Sequence, residues 1–236
     1  MDKIRTAINR FTKESNVFGD DIRDNSIEDL KRRFGIWFDA TESLIDRIPI
    51  SPPGRVLDVG AGYGLSSALL TLRGWKVVAI DIDTRGLMYI SEDYEFQSVI
   101  EQPIEHLHDE SDRGFDIVFC HHVLEHCPSP LHVLERINQL SNIGAYIAVG
   151  IPPITNNAES GHINNISLCQ LVYMLAMMGF DCAEDIIDNH TYDVRVVAKK
   201  IADPLTNGIM LDHLQSMIPD RLVHLSDNGI TYYLKE

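Results

Sequence analysis

The sequence predicts an α/β fold, a doubly wound sheet of parallel strands covered by helices on both faces, and three observations carry that expectation. From Arg55 onward, short apolar runs alternate with helix-length segments, the pattern of successive βαβ units. The runs VLDVG, KVVAIDI, FDIVFC and AYIAVGI are almost continuously apolar, as strands buried on both faces must be. The first of them ends in a glycine-rich turn, VGAGYG, directly before a helical segment, where the chain must reverse sharply into its crossover helix. The length of 236 residues suits one domain with extensions, and 44% apolar against 23% charged residues excludes a disordered or low-complexity chain.

Residues 1 to about 26 are polar and mixed and carry no assignable role. Leu30, Phe34, Trp37, Phe38, Leu44, Ile45 and Ile48 then recur at helical spacing, which predicts one or two amphipathic helices ended by Pro49, Pro52 and Pro53. Residues 1–50 are accordingly expected to form an N-terminal helical segment on the active-site side, with the aromatic stripe Phe34, Trp37 and Phe38 read as core packing. A main domain is expected over 51–200. Its helices are SSALLTLRG, TRGLMYISEDY, Pro130–Leu140 and residues 168–178, and its strands are the four runs above with FQSVI and DVRVVAKK. Ser129 before Pro130 predicts an N-cap with proline at the first helical position, and Ser167 with Gln170 has capping-box spacing. Gly179 suits the position just past a helix end. In the C-terminal extension, 201–236, residues 209–218 read as a helix closed by Pro219, and Asn228-Gly229 between LVHLS and ITYYL is a hairpin signal.

The turn at residues 56–64 is informative about a ligand. Gly60, Gly62 and Gly64 are alternate residues with Leu at position 65, so the GxGxxG dinucleotide fingerprint is absent, as is the GxxxxGK[ST] phosphate loop. A nicotinamide-dependent oxidoreductase and a nucleotide hydrolase both lose their support. Seventeen residues after Gly64, Asp81 ends the run VVAI. A carboxylate at the tip of the second strand can accept hydrogen bonds from both hydroxyls of a ribose, which implies an adenosine-type ligand; Asp83 is the alternative by register.

At these residues the chain resembles the class I S-adenosylmethionine-dependent methyltransferases. The resemblance covers residues 55–199 and rests on VLDVGAGYG, VVAIDID, FDIVFCHHVLEH followed by Pro128 and Pro130, GAYIAVGIPP, and the closing GFDC and DVRVVAKK. The VLEH element after the fourth strand is typical of one subgroup. The resemblance implies a Rossmann-like, mostly parallel seven-stranded sheet with an antiparallel last strand, and S-adenosylmethionine as cofactor. It places Asp58, Gly60 and Gly62 around the methionine part, with Ala61, Tyr63 and Gly64 completing the loop, and Asp81 with Ile82 at the ribose. At the adenine, where the family carries an aspartate, this chain offers Gln102, with Glu101 as the competing assignment. Cys120 and His121, at the end of the fourth strand, are expected near the methionine moiety. Tyr63 either packs on the cofactor or is exposed.

His122-Val123-Leu124-Glu125-His126 spells HxxEH, a zinc-hydrolase pattern. That site needs a substantial helix, yet Pro128 and Pro130 limit the segment to a turn and no third ligand is placed, so no metal site is expected. Magnesium through Glu125 or Glu159 has no support from spacing. Methyl transfer to a hydroxyl needs its proton removed, and the candidate bases are His162, in the polar loop 152–167, then His126, then His122. Asn164 and Asn165 of that loop could orient a polyol. The expected activity is O-methylation of a small molecule or glycan, the alternatives being a non-catalytic methyltransferase-like partner subunit or, less favoured, an HxxEH metal hydrolase. With 20 basic against 35 acidic residues, a net charge of −15 and no basic face beyond Lys31-Arg32-Arg33, nucleic acid is an unfavourable partner. No run of about 18 apolar residues predicts a membrane span. Four cysteines without pairing pattern and a start without a signal-peptide core predict a reduced, cytoplasmic protein.

Overall fold

The computed structural model describes residues 26–91, 93–107, 114–154, 161–189, 193–204, 216–219, 223–226 and 229–232, with the backbone alone described for Met88, Tyr89, 184–189 and the last two segments. Seven strands form one sheet: β1 (Arg55–Val59), β2 (Lys76–Asp81), β3 (Ser98–Glu101), β4 (Phe115–His121), β5 (Ser141–Ile151), β6 (Phe180–Asn189) and β7 (Val194–Lys200). Their spatial order is β3-β2-β1-β4-β5-β7-β6. Neighbours from β3 to β5 pair in parallel, whereas β7 runs antiparallel to both β5 and β6. The order reverses at β1, the switch point outside whose strand ends ligands bind in doubly wound sheets.

The continuous apolar runs explain this sheet. Val56, Leu57, Ile117, Val118, Ile147 and Ala148 are all fully buried, because helices cover each face. On one side lie α1 (Ile27–Phe34), α2 (Ile36–Ile45) and α3 (Leu65–Leu72); α4 (Arg85–Ser91) follows β2, and α5 (Pro130–Leu140) and α6 (Leu168–Met177) close the other face. Gly35, at φ 54°, separates α1 from α2 and turns the single amphipathic stretch into two helices. Phe38 is buried in the core as the sequence predicts and Phe34 packs against that core, but Trp37 is 36% exposed, and Trp37 and Phe34 both line a cavity. Core packing therefore accounts for only part of the aromatic stripe.

The capping box at Ser167 is present in full, with Gln170 N–H donating to the Ser167 hydroxyl and the Gln170 side chain accepting from Ser167 N–H. Ser129 differs from expectation. It sits at the N-cap of α5 but its side chain makes no capping bond, so Pro130 at the first helical position alone sets that start. Gly179 adopts φ 82°, and a Cβ there would lie 2.2 Å from the Ala202 carbonyl oxygen. Strands β8 (Val223–Ser226) and β9 (Gly229–Tyr232) pair as the antiparallel hairpin the Asn-Gly signal predicts. Most of the predicted helix 209–218 lies outside the described residues. Its end packs on the main domain: Met217 and Ile218 are buried in the main core, and Cys182 N–H donates to the Met217 carbonyl.

Candidate functional site

Beyond the carboxyl ends of β1, β2 and β4 lie two adjoining cavities that share Gly60, Gly62 and His122. The larger, about 710 Å³, lies toward Asp81, Ile82 and Gln102; the smaller, about 320 Å³, lies under the N-terminal helices against Phe34, Trp37, Tyr63 and His121. Both volumes fall in the range of small-molecule pockets, about 300–1,000 Å³.

The glycine loop is built by tight backbone geometry. Gly60 and Ala61 N–H both donate to the Ile80 carbonyl, which ties the loop to the end of β2. Gly60 and Gly62 adopt φ 67° and 54°, the left-handed region that favours glycine. A Cβ at Gly60 would lie 2.4 Å from Val123 Cγ2, while one at Gly62 would meet nothing nearer than 3.9 Å, so bare backbone faces open space there. Gly64 starts α3 and packs on Ile90 rather than lining either cavity.

Asp58 lies behind this loop, 1% exposed. Its Oδ2 accepts from the hydroxyls of Ser66 and Ser67 at 2.6 Å each, which fixes the first turn of α3. Burial pushes its carboxyl up to about 6, the two serine bonds opposing the rise and the charge of Asp81 adding to it. Its side chain borders neither cavity; Ser66 stands between it and the smaller one.

At the tip of β2, Asp81 accepts from Gly62 N–H at 2.8 Å and Asp83 N–H at 3.0 Å and lines the larger cavity. A carboxylate has lone pairs left for two ribose hydroxyls beyond those two bonds. Asp83 turns away to the Arg85 guanidinium, whose hydrogen bonds hold it down at about 2. Gln102 lines the cavity beside Pro103, whereas Glu101 accepts from the Thr84 hydroxyl and N–H, is held below the usual carboxylate range by those bonds, and lines neither cavity. Ile82 is 75% exposed at the cavity edge, an apolar surface on which a planar base could lie.

The end of β4 divides the two residues expected there. Cys120 is fully buried in the core, where burial pushes its thiol well above its ordinary value, and its side chain reaches neither cavity. His121 lines the smaller cavity and bonds through Nε2 to Asp193 Oδ2 at 2.6 Å.

The HxxEH segment is a single 3₁₀ turn, Leu124–His126. His122 Nδ1 pairs with Glu125 at 3.0 Å, and His126 Nδ1 bonds to the Gly161 carbonyl at 2.8 Å. The segment is a turn and not a helix, so the two histidines do not project from one helix face as the zinc-hydrolase pattern requires. Glu125, His126 and His162 bring ligand-type atoms within 4.8 Å of one another, as do His121, His122 and Asp193; Glu159 lies outside the described residues.

Of the candidate bases, His122 lines both cavities and His126 the larger. His162 lines neither; its ring packs edge-on against His126 at 4.8 Å between centroids. Asn164 donates to the Cys127 carbonyl at 2.6 Å and steadies the turn, and with Asn165 it borders a separate surface depression. Residues 161–164 of the polar loop thus brace the site from outside. Arg33, Thr41, His106, His132 and Asp193 were not foreseen. No sequence signal marks isolated residues that only the fold brings together.

The donor set fits S-adenosylmethionine: a carboxylate for the ribose, an amide for a base edge, and exposed loop backbone between them. Residues 57–149, from β1 to β5, match the methyltransferase domain family. The chain is 29% identical over 146 residues to the ubiquinone biosynthesis O-methyltransferase of Azotobacter vinelandii, covering 60% of this chain and 56% of that one. Against the enzyme of the same name from Dechloromonas aromatica it is 26% identical over 199 residues, covering 83% and 75%. The first of these is thus matched over little more than half its length. Among solved structures, the 1,6-didemethyltoxoflavin-N1-methyltransferase of Burkholderia thailandensis, with 1,6-didemethyltoxoflavin and S-adenosylhomocysteine bound, superposes with TM-score 0.56 at 16% identity, over 85% of this chain and 90% of that one. Residues 57–149 thus carry the methyltransferase domain, and the fold is one shared with S-adenosylmethionine-dependent methyltransferases. S-adenosylmethionine is the methyl donor of that class.

Proposed function

We propose that the protein is an O-methyltransferase that moves the methyl group of S-adenosylmethionine to a hydroxyl of a small, ring-bearing molecule. The observation that carries this reading is the smaller cavity, walled by Phe34, Trp37 and Tyr63 and floored by two histidines, which opens into the larger one at the glycine loop. Aromatic walls favour a flat apolar body, and the polar floor suits its hydroxyl. The relatives' name, ubiquinone biosynthesis O-methyltransferase, supports the same class of acceptor.

In this reading Asp81 holds the ribose, Gln102 and Ile82 receive the adenine, and Gly60 and Gly62, which both cavities share, carry the methionine part to the mouth of the smaller one. The donor supplies an activated methyl on a cationic sulfur. The protein's main task is to align acceptor oxygen and methyl carbon, since orientation lowers the barrier most in an in-line displacement. Helices α1 and α2 cover the acceptor side and exclude water. The net charge of −15 disfavours a nucleic-acid acceptor. Among the described residues no helix is long and apolar enough to cross a membrane, and four free cysteines accord with a reducing compartment such as the cytoplasm.

The test is calorimetric titration of S-adenosylhomocysteine, followed by transfer of radiolabelled methyl to pooled catechols, saccharides and amines. Micromolar binding with label on catechols is expected. Label confined to amines would overturn the hydroxyl assignment, and a folded protein that binds no ligand at millimolar concentration would overturn the enzyme.

A further inference from the structure

We propose that His121 is the general base of the transfer, its imidazole oriented by Asp193 so that Nδ1 takes the proton of the acceptor hydroxyl. This deepens the O-methyltransferase reading and rests on it for the identity of the proton.

Three strands build the arrangement. In the sheet, His121 at the end of β4 lies beside Gly150 of β5, and Gly150 lies beside Arg195 of β7. The imidazole crosses over Gly150 to reach Asp193: a Cβ on Gly150 would fall 2.2 Å from His121 Cδ2 and 2.8 Å from Nε2. The missing side chain is thus what lets the ring lie there. Asp193 is fully buried, with Oδ2 taking His121 and Oδ1 taking the Arg195 Nε–H at 2.7 Å; Arg195 in turn donates to the Ser43 hydroxyl of α2 at 2.8 Å. The carboxylate is held from both sides, and it fixes the histidine tautomer with hydrogen on Nε2.

That tautomer leaves a bare lone pair on Nδ1, which makes no hydrogen bond to the described residues, on a ring that lines the cavity proposed for the acceptor. The competing ring is less suited. His122 has Nδ1 engaged by Glu125, and its Nε2 is buried. His126 is tied to Gly161 and borders only the larger cavity. Burial lowers the affinity of His121 for a proton, with the Asp193 bond opposing this and the charges of His122 and Arg195 adding to it. The ring is therefore neutral, and able to accept, at physiological pH. In the transfer a bond forms between acceptor oxygen and methyl carbon, and the carbon–sulfur bond breaks with its electron pair going to sulfur. The hydroxyl proton passes to Nδ1. Positive charge leaves the sulfur as it arrives on the imidazole, beside the carboxylate that stabilises it.

A purely structural His121–Asp193 bond would hold the same Nε2–H tautomer, so the experiment combines two readouts: the tautomer, which a base requires, and the dependence of transfer on acceptor acidity, which a structural tie would not produce. In ¹⁵N-histidine-labelled protein saturated with S-adenosylhomocysteine, long-range ¹H–¹⁵N spectra from pH 5 to 9 are expected to show His121 with Nε2 protonated and Nδ1 bare at pH 7, and Asp193→Asn is expected to change that pattern. An Nδ1-protonated ring, or an imidazolium persisting to pH 8, overturns the proposal. In parallel, His121→Asn should keep S-adenosylhomocysteine affinity within about threefold while transfer to catechol falls by about 10²–10⁴ in kcat, and transfer to the more acidic 4-nitrocatechol should fall far less. Equal losses on the two catechols, or no loss, refute a base. A wild-type enzyme that leaves both catechols unmethylated counts against the acceptor reading and with it against His121 as its base, whereas an Nδ1-protonated ring counts against His121 alone.

Discussion

Replacing Asp58 with asparagine should stabilise the protein at neutral pH and leave its stability near pH 4 almost unchanged. The carboxyl is buried behind the glycine loop and lifted from its ordinary 3.8 to about 6. Between those values the folded state binds more protons than the unfolded chain, so stability falls as pH rises through that window. At about 1.4 kcal/mol per pH unit, the lift from 3.8 to about 6 amounts to about 3 kcal/mol of destabilisation, complete by pH 7. An asparagine oxygen can still accept from Ser66 and Ser67, and it carries no charge to desolvate. Urea unfolding followed by circular dichroism, at half-unit steps from pH 4 to 7.5, gives the difference between D58N and wild type, in which the other titrating groups cancel. The difference should grow from near zero to about 3 kcal/mol. A difference independent of pH across that range would refute the reasoning, because it would mean that Asp58 titrates alike folded and unfolded.

Three further outcomes follow from the geometry. Asp81→Ala removes the acceptor of Gly62 N–H and the proposed ribose contacts; at about 1.5–3 kcal/mol for a charged hydrogen bond, S-adenosylhomocysteine should bind about 10- to 100-fold more weakly by calorimetry, with little change in melting temperature. Gly60→Ala must place a Cβ 2.4 Å from Val123 Cγ2 at φ 67°, and overpacking with backbone strain should cost about 2–4 kcal/mol in chemical denaturation and abolish ligand binding. Ser167→Ala breaks the capping box of α6 and should cost about 1 kcal/mol with ligand affinity unchanged, since α6 borders neither cavity; a change in affinity would show that the two regions are coupled.

The sheet was legible because its strands are buried on both faces, so composition alone marks them. Glycines that need positive φ marked the β1 turn for the same reason: a steric requirement selects a residue type. The carboxylate at the end of β2 was readable from where the apolar run stops, and the choice of Asp81 over Asp83 agrees with the placement of their side chains, one toward the cavity and one toward Arg85. Of the candidate bases, His122 and His126 line the cavities, whereas the His162 ring packs on His126 outside them and Asn164 bonds to backbone carbonyls. A polar loop has the same composition whether it lines a pocket or braces one. The hydrophobic spacing of α1 and α2 showed that they exist, yet it could not separate Phe38, which packs inward, from Trp37, which borders the cavity.

The His121–Asp193 pair was hidden for a topological reason. In a wholly parallel sheet only the carboxyl ends of strands reach the ligand side, so each strand offers the site its last residues. The antiparallel β7 reverses this: its first residues lie beside the end of β5, where Ile151 pairs with Val194 and Gly150 with Arg195. Asp193, immediately before β7, is thereby delivered to a histidine 72 positions earlier in the chain. No local spacing encodes that meeting. It requires the reversal of one strand, a glycine on the strand between, and a buried arginine to hold the carboxylate, and each of these reads in the sequence as an ordinary part of a strand. The reversal of β7 thus does more than complete the sheet, because it brings a fixed negative charge to the ligand side that the parallel strands, ending in loops, would have had to supply from mobile chain.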